Sequence, residues 1–143
     1  MGAPTAAWVA RAGHPVTAFD IDIDPQKAVS LAADGVKPAA TISDAATDAD
    51  VLVLMVATAG QAESVLYGDG KTAAVLKPGA VVPLMATVGP AAVEDWAQRL
   101  ADTAVEIVDT PVSGAPPAPA RATCSSWSAA PPRRWRPCNR CWT

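Results

Sequence analysis

Short apolar runs alternate with stretches of helical character along most of this chain, and that alternation limits the fold more than any other feature. Val16-Thr17-Ala18-Phe19 is a strand-length run ending in Asp20, and residues 36–40 form another. Val51-Leu52-Val53-Leu54-Met55-Val56 is continuously apolar, which predicts a strand covered on both faces. Ala80-Val81-Val82-Pro83-Leu84-Met85 follows, with Pro83 removing one ladder donor, and Val105-Glu106-Ile107-Val108 is the last strand. Between the runs lie segments with helix signals. Residues 2–13 carry Pro4 in the first turn, an Ala6, Val9 and Ala10 face, and Gly13 as a stop. Asp24 caps and Pro25 opens a helix that runs to Gly35. Ser43 begins a single helical turn, residues 61–67 are helical up to Gly68-Asp69-Gly70, and Gly89-Pro90 opens residues 91–102. Strand and helix in this alternation predict an α/β fold of βαβ units around a doubly wound parallel sheet.

In such sheets ligands bind beyond the carboxyl ends of the strands, which makes Asp20, Val56-Ala57, Thr87 and residues 109–114 the site candidates. Asp109-Thr110-Pro111-Val112-Ser113-Gly114 delivers a proline, a hydroxyl and a bare glycine backbone into a loop. Hydroxyl and N–H donors converging there suit a carboxylate, whereas the same residues also suit a tight turn with no ligand. His14, the one histidine, follows the helix stop and reads as a capping or surface group rather than a base or metal ligand.

Composition divides the chain near Gly114. All 14 acidic residues and 6 of the 11 basic ones lie at or before it, a net charge of −8, while five arginines and no acid follow, a net +5. The last 29 residues hold all three cysteines and six of the 14 prolines, with no Leu, Ile, Val, Met or Phe. This Pro/Arg/Trp-rich tail, 115–143, predicts disorder. Cys138 and Cys141 have zinc-like spacing, but a closed site needs four ligands and the chain does not assemble them, so no metal is expected. The tail arginines and tryptophans are a weak nucleic-acid signal that the acidic body opposes. No apolar run reaches the roughly 20 residues of a membrane span, and the start lacks secretion-signal features, so a cytoplasmic protein is expected, with no membrane or nucleic-acid partner.

The order Met1-Gly2-Ala3-Pro4, Ala12-Gly13-His14, a strand ending in Asp20, Gln61-Ala62-Glu63-Ser64-Val65-Leu66, Leu76-Lys77-Pro78-Gly79, Thr87 and the 109–114 loop resembles the NAD(P)-binding domain of the β-hydroxyacid dehydrogenases. That family includes 3-hydroxyisobutyrate dehydrogenase and relatives of 6-phosphogluconate dehydrogenase, and residues 56–61 are most similar to its L-threonate dehydrogenase branch. The resemblance covers residues 1–114 and implies a Rossmann-type domain. Gly2 would be the last glycine of a Gly-x-Gly-x-x-Gly loop, aiming the first helix at a pyrophosphate. Asp20 would bind the adenosine ribose hydroxyls, its charge favouring NAD over NADP, although a capping or turn role beside Asp22 and Asp24 is the alternative. Val56 would line the cofactor groove and Thr87 would lie near the nicotinamide ribose. Ser113 and Gly114 would hold the carboxylate of a small hydroxycarboxylic acid such as 3-hydroxyisobutyrate or L-threonate.

Against that family, the first strand and first two glycines are not in the sequence, so an incomplete sheet is expected, unpaired where the family's central strand would sit. The family's acid/base lysine and helical second domain, which completes the pocket and the homo-oligomer, also have no counterpart after Gly114. No catalytic residue is therefore expected and this stretch alone is expected to be inactive, as a fragment of a dehydrogenase. A non-catalytic dinucleotide-binding module with a basic tail is the alternative. The tail also reads as out of frame. Shifted one nucleotide back with suitable third bases, residues 123–130 become Asp-Leu-Leu-Val-Met-Val-Gly-Gly, a strand closing on a family-like glycine pair.

Overall fold

The computed structural model describes residues 1–112. The chain runs α1 (Gly2–Arg11), β1 (Val16–Ala18), α2 (Pro25–Ala33), β2 (Val36–Pro38) and α3 (Ile42–Ala46), then through an extended segment, 51–56, to α4 (Ala59–Leu66). It continues through α5 (Thr72–Val75), β3 (Val81–Leu84), α6 (Pro90–Leu100), a 3-10 turn (Ala101–Thr103) and β4 (Glu106–Asp109). The alternation of strands and helices is the α/β pattern the sequence implies.

Local chemistry sets most boundaries. Asp24 Oδ1 accepts from the Gln26 N–H at 2.7 Å while Pro25 occupies the first helical position, so α2 starts where expected. α3 and α4 each begin with a capping box, Thr41 with Asp44 and Thr58 with Gln61. Those caps place the start of α4 at Ala59, two residues before the expected Gln61. Gly13 and Gly35 take φ values of 92° and 87° just after α1 and α2, a conformation that penalises any side chain with a Cβ.

The strands form two separate parallel pairs, β1 with β2 and β3 with β4. Among the described residues no strand joins them, in keeping with the expected gap at the sheet centre. Residues 51–56 flank β3 but make only two isolated bridges, Val51 with Val81 and Leu54 with Leu84. The interruption has a simple cause. Val81 N–H donates to Asp50 C=O, Leu52 N–H to Val81 C=O, Leu54 N–H to Pro83 C=O and Met85 N–H to Leu54 C=O. The missing rung is the one that Pro83, which has no N–H, would donate to Leu52.

The expectation that residues 51–56 are covered on both faces is corrected by the structure. Leu52 and Leu54 are buried, but Val51 and Val53 remain 53% and 42% exposed. Register places Val51 and Val53 on the face of Val81 and Pro83, away from the face where Leu52, Leu54, Val82 and Leu84 meet α4 and α6. That second face carries the main core, with Ala62, Leu66, Trp96 and Leu100 nearly or fully buried. A smaller core of Ala7, Leu31 and Val36 holds α1 and α2 on the β1–β2 pair.

Candidate functional site

The parallel connections bring the ends of residues 51–56 and β3 to one side of the molecule, beside the first turn of α1. A cleft of about 360 Å³ opens there, lined by Met1, Gly2, Met55, Val56, Ala57, Met85, Ala86, Thr87 and Val112. Three of the four expected cofactor residues, Gly2, Val56 and Thr87, thus share one cavity although they are far apart in sequence. Its size is at the lower end of the range of about 300–1,000 Å³ for ligand pockets.

The first turn of α1 has no side-chain cap, and Pro4 brings no N–H of its own. The N–H groups of Gly2 and Ala3 therefore carry the positive end of the helix dipole toward the cleft, where an anionic group is favoured. A Cβ added to Gly2 would stand 3.7 Å from Met55 Sδ, an ordinary contact, so tight packing is not what requires glycine here. On the opposite wall, Gln61 Oε1 accepts from the N–H of both Ala57 and Thr58, at 2.8 and 3.2 Å. This fixes the turn after Val56 and leaves that wall with few polar groups to offer. The residues present suit a ligand with one anionic and one apolar portion.

Asp20 lies outside the lining of this cleft. It is exposed past the end of β1, and its Oδ1 accepts from the Asp22 N–H at 3.1 Å. One carboxylate oxygen is thus committed to a local turn, as the capping alternative has it, while its place beyond a strand end also suits the ribose role. Ser113 and Gly114 lie outside the described residues, as does the whole 115–143 tail. Val112, the last described residue, lines the cleft. His14 is exposed just after α1. A second groove of about 460 Å³ runs past Thr17, Lys37 and Asp44, but Asp44 Oδ2 is held by the Thr41 N–H. Among the described residues no group of three or more His, Cys, Asp or Glu side chains could hold a metal, and no helix is long and apolar enough to cross a membrane.

Sequence reasoning missed a polar cluster that clamps α4 to α6 on the far side of the main core. Arg99 Nη1 reaches Glu63 Oε1 at 2.9 Å and Asp95 Oδ2 at 3.0 Å, and Trp96 Nε1 donates to Glu63 Oε2. The Arg99 guanidinium stacks 3.5 Å above the centre of the Tyr67 ring. The hydrogen bond to Asp95 raises the Arg99 pKa, opposed in part by desolvation and helped by Glu63. Burial raises the Tyr67 pKa above the usual phenol value, which the Arg99 charge offsets only in part. The i, i+4 spacing of Asp95 and Arg99 was visible in the sequence. The Glu63 partnership, 36 residues away, was not.

This chain is similar to L-threonate dehydrogenase of Pectobacterium atrosepticum, 38% identical over 115 residues, which cover 80% of this chain and 37% of that protein. It is also similar to the 2-hydroxy-3-oxopropionate reductase of Escherichia coli, 33% identical across 80% of this chain and 38% of the relative. The chain therefore spans less than two fifths of the length of these curated relatives. A crystal structure of 3-hydroxyisobutyrate dehydrogenase from Salmonella typhimurium superposes with a TM-score of 0.67 at 30% identity, over 80% of this chain and 38% of that one. The family model for the NAD binding domain of 6-phosphogluconate dehydrogenase matches residues 1–140. With its parallel α/β architecture and a cleft at the strand ends, the chain belongs to that NAD-binding domain family.

Proposed function

We propose that residues 1–114 are part of the nucleotide-binding domain of an oxidoreductase that acts on the hydroxyl of a small hydroxycarboxylic acid, with NAD preferred to NADP. The observation that carries this reading is the shared cleft, in which Gly2 at the open end of α1 meets Val56 and Thr87. The α1 N–H groups would hold the pyrophosphate, Val56 would pack on the cofactor and Thr87 would bond near the nicotinamide ribose. Asp20 would accept from ribose hydroxyls through the oxygen that Asp22 does not use, and its charge would repel a 2′-phosphate. When bound, the nicotinamide supplies the hydride acceptor. Ser113 and Gly114 would donate to the substrate carboxylate. L-Threonate and 3-hydroxyisobutyrate are the candidate substrates, through the relatives named above.

In this reading the stretch binds but does not turn over alone, since no lysine follows Lys77 to serve as an acid or base in the family manner. The shifted-frame reading of the tail belongs to the same proposal, and the homo-oligomer belongs to the longer parent. Calorimetric titration of the 143-residue chain with NAD and with NADP tests the cofactor side. The expected result is saturable binding with NAD roughly tenfold tighter, a preference that Asp20→Ala removes. Absence of NAD binding, or tighter binding of NADP, would overturn the assignment. Sequencing the encoding DNA across the Gly114 codon tests the frame: an early stop one base back would refute the shift.

A further inference from the structure

All three methionines of the chain, Met1, Met55 and Met85, line the cleft at the strand ends. Register explains two of them. Residues 51–56 and β3 are bridged at Leu54 and Leu84, whose side chains enter the main core. Successive side chains of an extended segment alternate between faces, so Met55 and Met85 stand together on the opposite one. Met1 immediately precedes α1 and is 59% exposed. Met55 and Met85 are half-buried, with part of each residue open to solvent.

Met55 has the most consequential neighbour. Its Sδ stands 3.7 Å from where a Cβ on Gly2 would be. Gly2 is the first residue of α1, whose opening N–H groups have no side-chain cap. A thioether is a weak acceptor and leaves those donors to an anion. Oxidation of the sulfur turns an apolar side chain into a polar one. The added oxygen would sit one bond from a sulfur that already lies against the first turn of α1. On the opposite wall the Ala57 N–H is already given to Gln61 Oε1 at 2.8 Å, so the α1 N–H groups are the donors left for that oxygen. A sulfoxide at Met55 thus caps the helix and takes the donors a phosphate needs.

We infer that Met55 is a site of reversible oxidation by hydrogen peroxide, and that its sulfoxide shuts the cleft to the anionic part of a nucleotide. This rests on the nucleotide-binding reading of the cleft. In the step, a sulfur lone pair attacks one peroxide oxygen, an S–O bond forms and the O–O bond breaks. The proton on the transferred oxygen passes to the departing hydroxide, giving water. Sulfur is oxidised by two electrons and the peroxide is reduced. Methionine sulfoxide reductases reverse the change.

The test treats the whole 143-residue chain with hydrogen peroxide in steps. Peptide mass mapping reads the sulfoxide at each methionine, calorimetric titration reads NAD binding, and far-ultraviolet circular dichroism reads the fold. The expected result is NAD binding weakened by roughly tenfold, the worth of about one charge-assisted hydrogen bond, in step with oxidation of Met55 and with helix content unchanged. Dithiothreitol alone, which reduces disulfides among the three cysteines, should not restore binding, whereas dithiothreitol with methionine sulfoxide reductases A and B should. Restoration by dithiothreitol alone, or unchanged affinity with Met55 oxidised, would overturn the inference and leave the nucleotide reading standing. So would a Met55 that resists peroxide while Met1 reacts, or loss of helix together with loss of binding. Absence of NAD binding before any peroxide would instead overturn the nucleotide reading, and this inference with it.

Discussion

Leu31→Ala removes the largest side chain from the smaller of the two cores, where Ala7 and Val36 are its buried companions among the described residues. Leu31 is 9% exposed, so its isobutyl group is nearly all withdrawn from water. A buried Leu→Ala change costs about 2–5 kcal/mol, and the cost falls toward the lower end where neighbours can collapse into the space. The edge position of this cluster argues for about 2–3 kcal/mol. Because among the described residues no strand ladder joins the β1–β2 pair to the β3–β4 pair, that loss should stay local. Hydrogen exchange measured by mass spectrometry on peptic fragments is the assay. In the EX2 regime, 2–3 kcal/mol corresponds to roughly 30- to 150-fold less protection across residues 16–38, with residues 81–109 changed by less than about twofold. Equal loss of protection in both regions would refute the reasoning, because it would mean that the two cores unfold as one cooperative unit.

The main core and its clamp give three further expectations. Tyr67→Phe removes a hydroxyl that is buried without a partner, so thermal unfolding should show a gain of up to about 1 kcal/mol, and a clear loss would mean the hydroxyl is satisfied in solution. Tyr67 is the one tyrosine, so tyrosinate absorbance reads it directly. Its folded pKa lies above the ordinary phenol value of 10.0, chiefly through burial, so the folded state holds the proton more tightly than the unfolded one. Its contribution to stability is full below pH 10 and is lost as pH rises through the folded pKa, and the absorbance midpoint should drop toward 10 in denaturant. Thr58→Ala breaks the α4 capping box and should cost about 1 kcal/mol by chemical denaturation, while Thr58→Ser should restore most of it.

The order of elements was legible because each signal is local: Asp24-Pro25, Gly13, Gly35 and Gly89-Pro90 act on their own neighbours. The weakened ladder at Pro83 was legible for the same reason, since the missing donor is a property of one residue. The burial of residues 51–56 was misjudged because coverage depends on what lies beyond the strand, which an apolar run does not encode. α5 went unseen because it is four residues long and starts from Lys71 in the left-handed region at φ 44°, where no motif announces it. In the site, Gly2, Val56 and Thr87 were read from resemblance and meet in one cleft, whereas Asp20 stands apart, held in a turn with Asp22. The clamp of Glu63, Trp96 and Arg99 depends on two helices meeting side by side on one face of the sheet, a contact that sequence spacing does not report.

The unequal cores also bear on the order in which the ribosome releases this chain. α1, β1, α2 and β2 emerge before the residues of the main core, and among the described residues they close upon the cluster around Leu31. The main core draws on residues from Ala46 to Ile107 and is fastened by β4, whose Glu106 N–H donates to Ala80 C=O and whose Thr110 N–H donates to Leu84 C=O, both at 2.9 Å. Until that last strand clears the exit tunnel, Leu66, Leu84 and Leu100 have no finished interior to enter. The stronger half is therefore the later of the two to close. During synthesis the nascent chain passes through an interval in which its most hydrophobic stretch, residues 51–56, is exposed to chaperones on both sides.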